Sequence, residues 1–180
     1  VWLWVHVHIA MIMNWSVIFS SMINELVEAF DDHFSEELNK VKNHSGQQKV
    51  ANAMRQLVQS SQLIKKRSDH LYQHHKIAKE RMDEKVQEYY SIRCVQQIVG
   101  PVLDTNNKTK KVLVDELNSV NDNPVIDVKN QNIFHGGNFH GDYVSLEMDK
   151  LKIAVTKLSI LAERQLNYLI NNNLNEKLTP

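Results

Sequence analysis

Gln87, Tyr90 and Arg93 stand three residues apart in the segment Gln87-Glu88-Tyr89-Tyr90-Ser91-Ile92-Arg93-Cys94. They offer an amide, a phenol and a guanidinium fork. On a helical turn that spacing lays the three in one leaning row. Such a row can grip a carboxylate, with Arg93 supplying two parallel hydrogen bonds. The competing reading is a solvated helix face on which Arg93 pairs with Glu88 or Glu84, and spacing alone leaves both open. Further on the chain reads Gly136-Gly137-Asn138-Phe139-His140-Gly141. A loop running into a helix N-terminus presents backbone N–H groups, and Phe139 a flat apolar face, to a ligand that is anionic and apolar. Equally, the glycines could only make a turn and Phe139 only pack on the helix that follows.

These segments need elements to hold them. The opening run Val1 to Ile23 is apolar and rich in tryptophan, and its helix is expected to continue through Met22, Leu26 and Phe30 until Asp31-Asp32. A short polar helix is expected over 34–41. His44-Ser45-Gly46-Gln47 reads as a turn, with Gly46 free to take a positive φ. From Gln47, the spacing of Val50, Met54, Leu57, Val58 and Leu63 predicts an amphipathic helix. Residues 87–105 and 121–141 are expected to be irregular. Pro124 cannot donate to a ladder and pushes Asn123 out of the α region, and Gly136-Gly137 opens unusual backbone conformations. Val112, Leu113, Leu117 and Val120 predict a short helix between them. From Asp142, the row Met148, Leu151, Val155, Leu158, Ala162, Gln165 and Leu169 has the 3-4 alternation of a bundle seam. Ile153, Ile160, Leu161, Leu166 and Ile170 widen it enough to need several neighbours. No convincing β alternation occurs, so the fold class is all-α: a bundle of long helices, residues 1–180 forming one domain or part of a larger one.

Composition narrows the function. Lys+Arg and Asp+Glu number 21 each, so no basic excess argues for nucleic acid or a membrane surface. Residues 65–85 carry seven basic against four acidic residues. Tyr72 is the only aromatic among them, which favours a solvated connector over a nucleic-acid groove. His70 and His74 have the i, i+4 spacing of a zinc pair, but no third ligand accompanies them, so no metal is expected. His6, His8 and Asn14 interrupt the apolar opening, and charged and polar groups are penalised at bilayer depth. A helix buried on all sides by other helices is the expected reading, without membrane insertion. Cys94 is the only cysteine, which fits a reducing, cytoplasmic setting.

The order of segments across 44–171 resembles the aromatic amino acid ammonia-lyases, the family of histidine, phenylalanine and tyrosine ammonia-lyase. His44-Ser45-Gly46-Gln47 is similar to the family's His-Pro-Gly-Gln turn. Gln87 to Asp104 is similar to its Gln-Asp-x-Tyr-Ser-Leu-Arg-Cys-x-Pro-Gln segment. Glu116 to Pro124 resembles its Asp-Asn-Pro segment, and Gly136 to Gly141 its Gly-Gly-Asn-Phe loop. Gln96 departs from the pattern, standing where the family usually has proline, and Ser45 replaces another proline.

The resemblance implies elimination of ammonia from an aromatic α-amino acid, in a histidine ammonia-lyase-like enzyme, to leave an α,β-unsaturated acid. It implies that Arg93 holds the substrate carboxylate and that Tyr90 lies at the reacting end as the catalytic residue. By the same resemblance Gln87 hydrogen-bonds near the electrophile or the carboxylate, Asn123 helps fix the carboxylate region, and Phe139 packs on the ring of substrate or electrophile. It also implies a homotetramer whose sites combine residues of neighbouring subunits. The family's electrophile, a methylidene-imidazolone, forms from Ala-Ser-Gly, and no such tripeptide occurs in the 180 residues. The chain is therefore expected to be an internal piece of a longer enzyme, inactive alone. An aminomutase of the family, or a non-catalytic helical assembly protein on the same fold, are the alternatives.

Overall fold

The computed structural model describes residues 2–71, 86–175 and 178. In chain order it comprises α1 (Trp2–Leu26), a 3₁₀ turn (Asp32–Phe34), α2 (Glu36–Lys40), α3 (Ser45–Val58) and α4 (Arg67–Leu71). After the connector come α5 (Tyr90–Arg93), α6 (Val95–Leu117), a hairpin of β1 (Val125–Asp127) and β2 (Asn132–Phe134), α7 (Asp142–Ile170) and α8 (Asn172–Asn175). The helical class stands. His74, His75 and the side chain of His70, with most of the basic connector, lie outside the described residues.

Helix α6 is the hub, packing on α7, α3 and α1. It runs through Gly100 and Pro101, where irregular chain was expected up to residue 105. Pro101 removes one intrahelical bond, a cost of about 3 kcal/mol. Val95, Val99, Val102 and Leu113 are all nearly inaccessible on this helix, and each buried aliphatic side chain contributes about 1.5–3 kcal/mol. Burial wins, and what looked like two pieces is one helix of 23 residues.

Gly46 and Gly100 explain where α3 crosses α6. A Cβ on Gly46 would lie 2.2 Å from the Gly100 carbonyl oxygen, and one on Gly100 would lie 2.6 Å from the Gln47 nitrogen. The two backbones touch. Gly46 is thus in the first turn of α3 with no positive φ, and close approach replaces the expected turn conformation as the reason for glycine. Its N–H donates to Asp104 Oδ2 at 3.1 Å.

Helix α7 lies antiparallel to α6. Near one end Thr109 Oγ1 donates to Glu147 Oε2 at 3.0 Å, and near the other Gln165 Nε2 donates to the Ser91 carbonyl at 3.0 Å. Its buried row is Met148, Leu151, Ala154, Leu158, Leu161, Gln165 and Tyr168. The expected seam is therefore corrected at Val155, Ala162 and Leu169, one residue late, because α7 leans on both α6 and α1. Ile153, Ile160, Leu166 and Ile170 remain exposed.

Helix α1 also departs from expectation. It stops at Leu26, Glu28 takes a left-handed φ of 51°, and Phe30 instead pairs with Lys65 as an isolated bridge. By length and mean hydropathy, 1.4 over Leu3–Leu26, it could cross a membrane. It is not buried on all sides: Ile9, Met13 and Val17 enter the core, while Trp4, Trp15 and Phe19 are exposed. The inward face nevertheless carries polar groups satisfied by the other helices. His6 Nδ1 lies 2.8 Å from Asn106 Oδ1, and Ser20 Oγ receives a bond from Gln165 Nε2 at 2.9 Å. That face is built for this bundle.

The turn from α1 to α3 is held by amides. His33 Nε2 lies 2.8 Å from Asn24 Oδ1, an atom that can only accept, so Nε2 carries the hydrogen. Asn39 Nδ2 donates to the His33 carbonyl at 3.1 Å, and Gln47 Nε2 to Asn39 Oδ1 at 2.9 Å. Gln96 Nε2 reaches the same His33 carbonyl from α6. The expected helix over 34–41 is shorter, starting after Ser35, whose Oγ accepts from the Leu38 N–H at 3.3 Å. The β hairpin, with Val125 opposite Phe134 and Ile126 opposite Ile133, was not expected. Its strands are three residues each, too short to show an alternation.

Two outcomes follow from this packing. Gly46→Ala should cost about 1–3 kcal/mol in urea unfolding, because backbone rather than a flexible side chain must move; an unchanged midpoint would contradict the close approach. Burial, opposed by Asp32 and aided by Arg67 and Arg93, takes the His33 pKa from 6.5 down to about 4. The unfolded chain then binds more protons between those values. Stability is full above about 6.5 and should fall by about 3 kcal/mol as pH drops to about 4. His33→Gln should flatten the urea-midpoint profile in that window.

Candidate active site

The best-defined polar constellation is built on α5, a single turn. Its entry is held by Arg67, whose Nε bonds Asp32 Oδ2 at 3.2 Å and whose Nη1 donates to the Val86 carbonyl at 2.7 Å. The Arg67 guanidinium also covers the Phe30 ring at 3.8 Å. Ile92 is fully buried and clusters with Val27, Ala29 and Tyr168. The Tyr89 and Tyr168 rings lie 5.1 Å apart. Gln165 then joins Ser20 of α1 to the Ser91 carbonyl. A short turn that could not persist in isolation is thus fastened by apolar contact beneath and an amide beside it.

On this base the structure brings Tyr90 and Arg93 together. The Arg93 guanidinium carbon is 4.7 Å from the Tyr90 ring centroid, a cation–π distance. Tyr90 is 72% exposed, whereas Arg93 is half-buried with its Nε inaccessible and without a hydrogen-bond partner in the protein. The arrangement leaves an outward phenol beside a guanidinium whose stem is held inside, which suits binding of a carboxylate. Gln87 is exposed in the bend before α5, so the expected helical row of three is reduced to two. Burial raises the Cys94 thiol pKa although Arg93 opposes it, which disfavours the thiolate needed for a nucleophile.

Asn123 and Phe139 are elsewhere. Both are exposed in the hairpin region, where Asn123 Oδ1 accepts from the Gly136 N–H at 2.9 Å and Asn138 Nδ2 donates to the Val120 carbonyl at 3.3 Å. The glycine loop does run into the α7 N-terminus, with Gly141 as the capping residue. No glycine there has a positive φ, contrary to expectation, and a Cβ added to any of the three would meet nothing within 4 Å. All 23 residues of α6 separate this region from Arg93, about 35 Å of helix. The candidate residues are therefore divided, with Gln87, Tyr90 and Arg93 before α6 and Asn123 and Phe139 beyond its far end.

The supports of α5 were only partly visible in the sequence. Gln165 stood out as the polar break in an apolar row, and that was its signal. His33 gave none. At Glu147 burial pushes the carboxyl up, but hydrogen bonds from Lys150 and Thr109 outweigh it and hold it below its usual range. That makes it a structural tie between α6 and α7. Among the described residues no group of three His, Cys, Asp or Glu side chains is placed to hold a metal ion.

Residues 3–180 match the family model for aromatic amino acid lyases. The chain belongs to the aromatic amino acid lyase family. It is 45% identical over 152 residues to a tyrosine 2,3-aminomutase of Chondromyces crocatus, covering 82% of this chain and 29% of that protein. A histidine ammonia-lyase of Natranaerobius thermophilus is 34% identical over 161 residues, covering 89% and 29%. The crystal structure of a tyrosine aminomutase from Streptomyces globisporus superposes with a TM-score of 0.90 at 34% identity, over 97% of this chain and 34% of that one. The chain thus spans about a third of the length of these relatives.

Gln165→Leu should release α5. Ser91 and Ser20 lose their shared partner at a cost of about 1–3 kcal/mol, and amide hydrogen exchange should speed up across residues 90–94 while α3 stays protected. Unchanged exchange there would show that Ile92 and Tyr168 hold the turn unaided.

Proposed function

We propose that this chain supplies the carboxylate-binding part of an enzyme that eliminates ammonia from an aromatic α-amino acid. The observation that carries the reading is the Arg93–Tyr90 pair, a half-buried guanidinium over an exposed phenol, in the segment with the most distinctive family pattern. Arg93 orients the substrate through its carboxylate. The Tyr90 hydroxyl, on the outer side of the same turn, stands at the amine and β carbon. Gln87, exposed just before, adds an amide to the same face.

The reaction draws on a methylidene-imidazolone, an electrophile that turns the amine into a competent leaving group. Its Ala-Ser-Gly source does not occur among these 180 residues; Tyr90 and Gln87 are the groups here that would face it. Asn123 and Phe139, a helix length away, belong in this reading to a second site completed by another copy of the chain. A homo-oligomer, a tetramer by family, follows from it.

A second reading is favoured by the identities. The match to a tyrosine 2,3-aminomutase, at 45%, exceeds that to the histidine ammonia-lyase, at 34%. We propose tyrosine ahead of histidine as the substrate, with the amine returning to the β carbon before the unsaturated acid escapes.

The test uses the complete protein with L-tyrosine, L-phenylalanine and L-histidine. Unsaturated acids are followed by ultraviolet absorbance and β-amino acids by chromatography. Arg93→Ala should lower kcat/KM by about one to two decades, the worth of a charged hydrogen bond. Tyr90→Phe should depress kcat more than it raises KM. Mixed oligomers of Arg93→Ala and Asn123→Ala chains should be more active than either variant alone. Wild-type kinetics in both Arg93→Ala and Tyr90→Phe would overturn the reading. A β-amino acid formed ahead of free unsaturated acid selects the aminomutase.

A further inference from the structure

Three buried side-chain atoms among the described residues lack a hydrogen-bond partner in the protein: Arg93 Nε, Gln96 Oε1 and Gln97 Oε1. All fall within five consecutive residues at the junction of α5 and α6. One is a donor and two are acceptors, and a buried guanidinium N–H left unpaired is costly.

The two glutamines face different ways. Gln97 lines the groove between α6 and α7 with Ile98, Pro101 and Lys157. Gln96 is completely buried on the other side, where its Nε2 donates to the His33 carbonyl. The chain keeps a helical path through the junction: the Cys94 N–H bonds the Tyr90 carbonyl at 2.9 Å and the Ile98 N–H bonds the Cys94 carbonyl at 3.1 Å. Residues 93 and 96, three apart, then share a face. With its nitrogen fixed on His33, the Gln96 amide cannot turn, and its oxygen stays directed away from His33.

We propose that Gln96 is a positioning residue for Arg93, its Oε1 accepting the Arg93 Nε–H through one shared water. One water between two polar groups is an ordinary buried arrangement. Fixing Nε–H leaves the terminal nitrogens of the fork to face outward as a rigid pair. This deepens the reading of Arg93 as the carboxylate-binding residue and rests on it. A proline at position 96, as the family pattern usually has, offers neither the donor to His33 nor the acceptor to Arg93.

The test compares binding of 4-coumarate with that of its uncharged primary amide, by calorimetry on the complete protein. The ratio of the two affinities isolates the carboxylate. Wild type should prefer the acid, and Gln96→Met, which keeps the volume, should lower that preference about fivefold or more. Gln96→Glu, which keeps an acceptor, should retain it, and Gln97→Met should leave it unchanged. A merely structural role for Gln96 would weaken acid and amide together and leave the ratio alone, which overturns the proposal. So does an equal fall in Gln97→Met. Should Gln96→Met not fold, judged by circular dichroism, Gln96→Glu decides: a retained preference supports the proposal and a lost one overturns it. If Arg93→Ala abolishes the preference but Gln96→Met does not, the carboxylate reading stands and only this inference fails. No preference in wild type removes both.

Discussion

The backbone contact between Gly46 and Gly100 sets the position of α6, and most of the molecule is arranged by α6. With a Cβ at either position the helices would have to part, since the opposing atoms at 2.2 and 2.6 Å are backbone. That closeness seats Val95, Val99 and Val102 in the core and lets Asp104 reach the start of α3. It also accounts for a proline inside a helix. Pro101 is exposed, so its missing N–H falls where the neighbouring helices do not need it.

A second constraint acts at the N-terminal end of α6. Asn24, His33, Asn39, Gln47 and Gln96 come from five elements, yet they join in one hydrogen-bonded chain. Inside a protein such a network is costly unless satisfied, and once satisfied it defines a single arrangement. Its partner on the other side is Gln165, which fastens α5 to α1 and α7. Arg93 lies between the two. The candidate site is therefore flanked by amides, which add directional contacts to the apolar packing of Ile92 and Tyr168 beneath it.

That division explains what could be read from the residues alone. The all-α class, α3 and α7 were legible because periodic burial writes itself into the chain, and the Tyr90–Arg93 pair because its residue types are chemically specific. The passage of α6 through Gly100-Pro101 was hidden, since local propensity opposes it and only contacts with α3 and α7 override that preference. Three positions in the seam of α7 fell one residue late because two neighbours share the helix, and a single-stripe pattern assumes one. Amide networks leave almost no trace: Asn24 and Asn39 look like any surface asparagine until the structure buries them. The joint row of Gln87 with Tyr90 and Arg93 failed for a local reason, as the helix starts only at Tyr90.

What α1 and α7 leave uncovered bears on how the two groups of candidate residues meet. Trp4, Trp15 and Phe19 on α1, with Ile153, Leu166 and Ile170 on α7, are each more than half exposed. Scattered apolar residues are ordinary, but long stripes on two helices of one bundle mark surfaces that make contacts beyond the described residues. The divided candidate residues impose a matching demand. Arg93 and Asn123 lie beyond opposite ends of a helix of 23 residues, too far apart to touch one small molecule. If both act on the same substrate, as proposed, a second copy must lie antiparallel along α6 so that its far end meets the near end of the first. A two-fold axis does this and creates two equivalent sites at once. In that arrangement α6 is the spacer between the two groups of candidate residues, and the Gly46–Gly100 contact fixes where it lies against α3.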